Sequence, residues 1–203
     1  MDAKTLLSLD ISTSCTGWSL FNLERELLVS GLIKPSTKGQ VVKMTYPRQQ
    51  LTKMRDISTQ ILNVILEYNP SIIVIEEITG SKNRMGQKTL DGCHFLVVDK
   101  IEAFLDRVYY YDVSGNQGWR YHLQLRLSDA DKLANKEAKK LNKKLAASQR
   151  MPVVTPKHLA CRHANARFNL ALDCNLRETD GDLADSMCMA DAFLTFRFAE
   201  IPK

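Results

Sequence analysis

The 203-residue chain carries 28 lysines and arginines against 23 aspartates and glutamates, which gives a net charge of +5, and 44% of its residues are hydrophobic. No apolar run approaches the roughly 18 residues of a membrane-spanning helix, and no signal-peptide pattern opens the chain, so we expect a cytoplasmic globular protein with no membrane partner. Five scattered cysteines without a Cys-x-x-Cys pair argue against a disulfide framework or a structural zinc site.

Three strands and a helix are predicted in the first part of the chain. Residues 5–12 form a nearly continuous apolar run, which is typical of a strand buried on both faces. Further strands are predicted over 18–22 and 26–33. Apolar residues at helical spacing predict a helix over 47–68, which the following Asn-Pro pair ends.

Strands and helices then alternate. The remaining predicted elements are a strand over 71–78, a basic loop over 80–88, a helix over 89–107, a strand over 108–113 and a lysine-rich helix over 129–148. A further helix, capped by Thr155, is predicted over 156 to about 172, and a final helix begins at Asp182 or a neighbouring residue and ends near 198. Strands at the front followed by this alternation predict a single α/β domain over 1–203, with a mixed sheet covered on both faces by helices. We interpret residues 119–150 as a basic helical insertion.

Four acidic residues lie in or beside segments that are predicted to be buried, where a negative charge requires a positive partner. Asp10 lies within the first apolar strand and Glu76 ends a second one, and burying an isolated carboxylate is costly. Asp182 and Asp185 are three residues apart, so they share one side of the last helix. Each acid alone could be a turn or cap residue. Together, converging carboxylates could hold two Mg²⁺ ions and support phosphodiester hydrolysis.

The ordered set of motifs resembles the RuvC-type Holliday junction resolvases of the ribonuclease H-like superfamily. Residues 10–18, Asp-Ile-Ser-Thr-Ser-Cys-Thr-Gly-Trp, are similar to that family's first acidic strand and turn; residues 73–76 resemble its second acidic strand, and residues 182–190 its terminal helix. The resemblance implies a five-stranded sheet of three antiparallel strands followed by parallel ones. It also implies a homodimer that cuts four-way DNA junctions and other branched DNA such as forks, with the helix over 89–107 in the dimer interface. Core packing explains the apolar positions of that helix equally well.

The resemblance also implies site residues. By position, the acids that bind two Mg²⁺ ions, or Mn²⁺ as a substitute, are Asp10, Glu76, Asp182 and Asp185. Lys157 matches a basic position that the family uses near the scissile phosphate, and we count it as catalytic and DNA-binding. Further candidate DNA contacts are Lys82, Arg84, Lys88, Lys139 and Lys143. A solvated helix face is the alternative interpretation of the last two.

The chain departs from the family pattern at two sites. Ile11-Ser12 stand where the bacterial cellular enzymes usually have Pro-Gly, and Thr79 stands where they have an aromatic residue that helps to open the junction. This divergence suggests a phage or mobile-element protein, which would act in the cytoplasm of its host cell.

Other protein classes share some of these features. Sugar-kinase and actin-like phosphotransferases also begin with a strand, an aspartate and a Ser/Thr/Gly-rich turn, but 203 residues with nine glycines leave no room for their two domains, so we predict no nucleotide cofactor. A ribonuclease or transposase of the same fold would share the acids. A non-catalytic DNA-binding module would leave the acids at strand ends unexplained. The Asp-x-x-Asp pair on the last helix favours the resolvase.

Overall fold

The structure is a computed structural model that describes residues 4–36, 44–77, 84–113, 115–174 and 180–200. The strands are β1 Thr5–Asp10, β2 Thr16–Asn22, β3 Leu27–Ile33, β4 Ile72–Glu77 and β5 Val108–Asp112. The helices are α1 Arg48–Tyr68, α2 Arg84–Lys100, α3 Trp119–His122, α4 Asp129–Asn142, α5 Pro156–Phe168 and α6 Gly181–Phe196, with short 3₁₀ turns at Glu102–Arg107, Ala147–Gln149 and Phe198–Glu200.

The five strands form one mixed sheet in the order β3-β2-β1-β4-β5. β1, β2 and β3 pair antiparallel, whereas β4 pairs parallel with both β1 and β5. This confirms the predicted arrangement of three antiparallel strands followed by parallel ones.

Apolar side chains cover both faces of the sheet, as the continuous apolar runs predict. Because side chains alternate along a strand, Leu7 and Leu9 of β1 face the layer of α1 and α2, where Ile57, Ile61 and Val97 are buried. Leu6 and the even-numbered residues of β4 face the opposite layer, which contains α5 and α6. Asp10 and Glu76 have the same parity as these residues, so their side chains point toward the α6 side of the sheet.

Helix α6 approaches the sheet closely because the strand residues beneath it are small. Ser8 and Ser19 pair across β1 and β2 and are fully buried. At Gly17, beside Asp10 in the register, a Cβ atom would overlap the backbone carbonyl of Asp182 and lie 2.9 Å from the amide nitrogen of Leu183. The glycine of the Thr-Gly-Trp motif therefore lets the start of α6 rest against the strand that carries Asp10.

A buried carboxylate fixes the far part of α6. Asp191 is 2% exposed and accepts hydrogen bonds from Arg25 at 2.7 and 3.1 Å. His163 and Arg167 of α5 lie 3.5 and 3.4 Å from the same carboxylate. Burial alone would raise the pKa of Asp191, but the hydrogen bonds from His163 and Arg25 and the charges of Arg25 and Arg167 outweigh it, and the pKa is lowered. The cluster joins α5, α6 and the β2–β3 turn.

Two predicted boundaries around α2 are wrong. The helix begins at Arg84, so the second half of the predicted loop over 80–88 is helical. The polar residues of this first turn give no apolar periodicity, which is why the sequence did not predict it. The helix also ends at Lys100 rather than at 107, because the backbone leaves helical geometry at Ile101 and continues as the turn Glu102–Arg107.

The predicted ends of the later helices are also wrong. α4 ends at Asn142 rather than at 148, where the Asn142 side chain binds both backbone polar groups of Met151. α5 ends at Phe168 rather than at 172, because Asn169 takes a left-handed conformation with φ 52°. α6 begins at Gly181, a neighbour of Asp182 as predicted, but it ends at Phe196 rather than near 198, and the turn Phe198–Glu200 follows it.

The segment predicted as an insertion has two different environments. Its first residue, Trp119, is fully buried in the core layer of α6. In contrast, only Asn135 and Ala138 of α4 are buried, and the Asn135 side chain binds the backbone of Val154 with two hydrogen bonds of 2.8 Å. Within the described ranges, no helix is both long and apolar enough to cross a membrane.

Candidate active site

Three of the four predicted acids meet in one cleft at the carboxyl ends of β1 and β4. Leu9 pairs with Ile75 in the parallel register, so Asp10 and Glu76 follow side by side. Asp185, in the second turn of α6, reaches the same cleft, whose volume is about 290 Å³. The pairing of the strands and the docking of α6 thus bring together residues that are 66 to 175 positions apart, counting from 10, 76 and 185.

Lys157 and Asp182 complete the cluster at its more exposed side. Lys157 is the second residue of α5 and lines the cleft, and its amino group donates a short hydrogen bond to Asp182 Oδ1. Both side chains are partly exposed, at 44% for Lys157 and 27% for Asp182. All five residues predicted to be catalytic therefore lie in one neighbourhood, although their catalytic roles remain predictions.

The cluster holds more negative charge than its surroundings balance. Burial raises the pKa of Asp10 well above 3.8, and the charges of Glu76 and Asp185 raise it further. Burial also raises the pKa of Asp185 to about 7, although the nearby charges of Arg120 and Lys157 lower it. Several acids at one buried point repel one another, so the site favours either a proton or an added cation.

Trp119 and Arg120 belong to the site, and sequence reasoning missed both. The indole Nε1 of Trp119 donates to Glu76 at 3.1 Å, and the guanidinium of Arg120 donates to Asp185 at 2.9 Å. They follow β5, whose Tyr111 pairs with Glu76. The sequence did contain one indication of this. Residues that directly follow a strand paired parallel with β4 leave the sheet at the edge where Glu76 lies.

His94 of α2 also lines the cleft and was not predicted. Burial lowers its pKa to about 4, although a hydrogen bond with the backbone of Ile11 raises it in part. The imidazole is therefore neutral at physiological pH, so His94 lines the cleft as an uncharged polar residue and adds no positive charge to the site.

The predicted DNA contacts lie in different places. Lys82 lies outside the described residues, and Arg84 is the first residue of α2. Lys88 is exposed on α2, two residues before Leu90, which lines the cleft. Lys139 and Lys143 line a separate groove of about 850 Å³ along α4. The structure thus does not place the lysines of α4 at the acid cluster.

The donor atoms of the cluster fit a hard divalent cation, although their present arrangement does not enclose one. In the part of the chain that the structure describes, no three or more histidine, cysteine, aspartate or glutamate side chains are already arranged to hold a metal ion. Instead, the carboxylates of Glu76, Asp185 and Asp182 accept hydrogen bonds from Trp119, Arg120 and Lys157, respectively. However, Asp185 Oδ1 is buried without a hydrogen-bond partner among the described residues. An unpartnered carboxylate oxygen beside other acids is the donor type that Mg²⁺ prefers.

Solved structures share this architecture. Thermus thermophilus RuvC superposes with a TM-score of 0.52 at 14% identity over 96% of each chain. The chain has a ribonuclease H-like fold. RuvC of T. thermophilus in complex with a Holliday junction substrate gives a TM-score of 0.51 at 14% identity, over 93% of this chain and 91% of that one. The yeast mitochondrial Holliday junction resolvase Ydc2 gives 0.52 at 11% identity, over 95% of this chain and 78% of that one.

At the sequence level, no protein-family model and no curated protein matches the chain. At identities of 11 to 14%, the likeness to the solved structures establishes the ribonuclease H-like fold alone.

Proposed function

We propose that this chain is a divalent-metal-dependent endonuclease that cuts four-way junctions and other branched DNA. The observation that carries the proposal is the convergence of Asp10, Glu76 and Asp185 with Lys157 in one cleft at the carboxyl ends of two parallel strands. The pKa values of Asp10 and Asp185 are raised, and acids with raised pKa values in a cleft are typical of functional sites. Repulsion among these acids destabilises the fold, and a purely structural role would not compensate for that destabilisation. The resolvase-like motifs in the sequence support branched DNA as the substrate.

Four acids are the ligands that we assign to the metal. Asp10, Glu76, Asp182 and Asp185 would hold two Mg²⁺ ions, for which Mn²⁺ could substitute. When bound, such ions supply the positive charge that phosphodiester hydrolysis requires at the attacking water and at the leaving oxygen.

Lys157 provides the positive charge that the chain itself offers to the substrate. Its side chain is 44% exposed and belongs to the first turn of α5, and its amino group donates to Asp182. The positive end of the α5 dipole is at the same place, so both attract a phosphate. Its pKa is raised, because the charge of Asp10 and the hydrogen bond to Asp182 outweigh the effect of burial, and the amine stays charged at neutral pH.

More distant phosphates would contact the basic surfaces. Lys139 and Lys143 are exposed along the groove of α4, and Lys88 is exposed on α2 near the cleft. Each lysine that neutralises a phosphate releases counterions, so these residues would raise affinity without reading sequence. Lys82 and Arg84 remain candidate contacts from the sequence alone.

A homodimer fits the proposal, because paired cuts in a junction need two active sites. Large apolar side chains are exposed on and beside α2, namely Phe95 at 76%, Tyr110 at 46% and Leu105 at 40%. Phe95 and Tyr110 line one groove of about 510 Å³. Apolar patches of this kind are typical of protein interfaces. The phage or mobile-element origin remains a prediction from the divergent motifs.

The proposal is tested with the full chain and labelled four-way, forked, linear duplex and RNA–DNA hybrid substrates, with Mg²⁺ or with a chelator. We expect Mg²⁺-dependent cutting of the branched substrates, and no cutting by Asp10→Asn, which keeps the shape of the side chain but loses its charge. Asp112→Asn is the matched control. Asp112 ends β5, which runs parallel to β4, so it lies at the same edge of the sheet as Glu76, but it is not among the described residues that line the cleft. It should cut like the unmodified chain.

Each contrary result points to a different conclusion. Cutting of the RNA–DNA hybrid alone would indicate a ribonuclease. Undiminished cutting by Asp10→Asn would remove the catalytic assignment. Junction binding without cutting by the unmodified chain at any Mg²⁺ concentration would leave a binding module.

A further inference from the structure

Trp119 and Arg120 form a pair that bridges two of the four acids from outside the predicted motifs. The indole ring of Trp119 is fully buried, and its N–H donates to Glu76. The Arg120 guanidinium lies over that ring, 4.5 Å from its centroid, and donates to Asp185. One short helix, α3, thus contacts an acid of β4 and an acid of α6.

Arg120 supplies a cation to the interior of the cluster. Its side chain is only 22% exposed, and Asp185 is 2% exposed. A guanidinium remains protonated at any pH that the protein tolerates, so the charge is permanent. Its effect reaches beyond its direct partner, because it lowers the pKa of Glu76 as well as that of Asp185 against the opposing effect of burial.

The contact between Arg120 and Asp185 is incomplete on both sides. Asp185 accepts through Oδ2, while its Oδ1 is buried with no hydrogen-bond partner among the described residues. Arg120 donates through a terminal nitrogen, while its Nε is likewise buried and unpartnered within the described ranges. A paired arginine and carboxylate usually form two parallel hydrogen bonds. A buried ion pair with unsatisfied atoms is a contact that a better cation can replace.

We propose that Arg120 is a positioning residue that acts as the internal counter-cation of the acid cluster and competes with a divalent metal ion for Asp185. Stacking on the Trp119 ring holds the Arg120 guanidinium against the cluster. The hydrogen bond from Trp119 to Glu76 fixes that ring relative to β4. Without metal, Arg120 offsets the repulsion among the acids. Metal binding must displace it from Asp185. This inference rests on the proposed metal site.

The test uses the full chain and measures metal binding without reference to cleavage. Arg120→Gln keeps a polar side chain, although a shorter one, and removes the charge. We compare melting temperatures in a chelator and along a Mn²⁺ titration. In the chelator, Arg120→Gln should melt below the unmodified chain, and saturating Mn²⁺ should close that gap. The Mn²⁺ concentration at half-saturation should fall about tenfold, which is the order expected when metal no longer displaces one charge-assisted hydrogen bond.

Two further variants keep the test decisive. Arg126→Gln is the matched control, because the Arg126 guanidinium packs on the ring of Tyr121 at 4.8 Å and forms no ion pair with an acid within the described ranges. It should leave the Mn²⁺ titration unchanged. Arg120→Lys keeps the charge but loses the planar fork, so its half-saturation should lie between those of the unmodified chain and Arg120→Gln. It also covers the case in which Arg120→Gln fails to fold.

Three outcomes would overturn the inference. An equal loss of melting temperature in chelator and in Mn²⁺ would make Arg120 a purely structural residue. Weaker or unchanged Mn²⁺ binding by Arg120→Gln would mean that Arg120 supports the metal site or has no influence on it. If Mn²⁺ does not stabilise the unmodified chain at all, the metal site itself fails, and the inference with it. If the expected Mn²⁺ shifts occur in a chain that cuts no DNA, the inference stands and only the nuclease proposal fails.

Discussion

Gly17→Ala tests whether the close approach of α6 to β2 builds the acid cluster. The added methyl would overlap the carbonyl of Asp182 and lie 2.9 Å from the nitrogen of Leu183. Ordinary van der Waals contact begins at about 3.4 Å or more. Both obstacles are backbone atoms, which cannot rotate away, so the first turn of α6 must move by on the order of 1 Å, and Asp182 and Asp185 move with it.

The magnitude follows from two effects. Overpacking a tight interface typically costs about 2 kcal/mol, which corresponds to a fall in melting temperature of roughly 6 °C for a chain of this size. A displacement of roughly 1 Å at a catalytic group reduces turnover by about a hundredfold. We therefore expect a modest loss of stability but a severe loss of junction cutting. Thermal melting and single-turnover cleavage of a labelled four-way junction measure the two.

Gly92→Ala is the matched control for this prediction. A methyl at Gly92 of α2 would meet the side chain of Met54 at 3.5 Å, which is ordinary contact. Alanine also favours the helical state over glycine by about 0.5 to 1 kcal/mol. This variant should melt at or above the temperature of the unmodified chain. Wild-type melting and wild-type cutting by Gly17→Ala would refute the idea that the bare backbone of Gly17 sets the position of α6.

The other predictions concern charge and anchoring. Asp191→Asn leaves Arg25 and Arg167 without their carboxylate partner and should cost about 2 kcal/mol at pH 7, a value discounted for the partial exposure of these arginines. The folded-state pKa of Asp191 lies below 3.8, so this contribution is present above pH 4 and is lost as the pH falls further, and urea titrations at pH 7 and 3 should show the difference shrinking. Asn135→Ala frees two backbone groups of Val154 and should increase hydrogen exchange in α4 more than Asn142→Ala, whose site is more exposed. Asp10→Asn should melt above the unmodified chain in a chelator, since the variant removes a charge that burial and neighbouring acids destabilise; lower melting would indicate a structural role for Asp10.

The parts of the fold that could be predicted from the sequence are those with long, regular apolar patterns. β1 and β4 are buried on both faces, so their continuous apolar runs identify them, and an acid inside or after such a run is conspicuous. Period-2 alternation then places Asp10 and Glu76 on one face. The Asp182–Asp185 spacing on α6 gives the third component by the same kind of local argument.

The parts that could not be predicted depend on contacts between distant segments. Trp119 and Arg120 reach partners 43 and 65 positions away from a helix of four residues, which is too short to show any periodicity. The end of α4 depends on hydrogen bonds from the Asn142 side chain to the backbone at Met151, a pairing that local propensity does not reveal. Gly17 could be recognised as part of a motif, but the reason for it is visible only once α6 is in place.

The positions of the two internal cations explain how the chain tolerates the acid cluster. Lys157 pairs with Asp182 at the exposed side, and Arg120 pairs with Asp185 at the buried side. Asp10 forms no ion pair among the described residues, and burial together with the charges of Glu76 and Asp185 raises its pKa well above 3.8. A chain selected for stability alone would place an apolar residue there. The cost at Asp10 therefore supports the proposed metal site, in which a cation from outside the chain would complete the acid cluster.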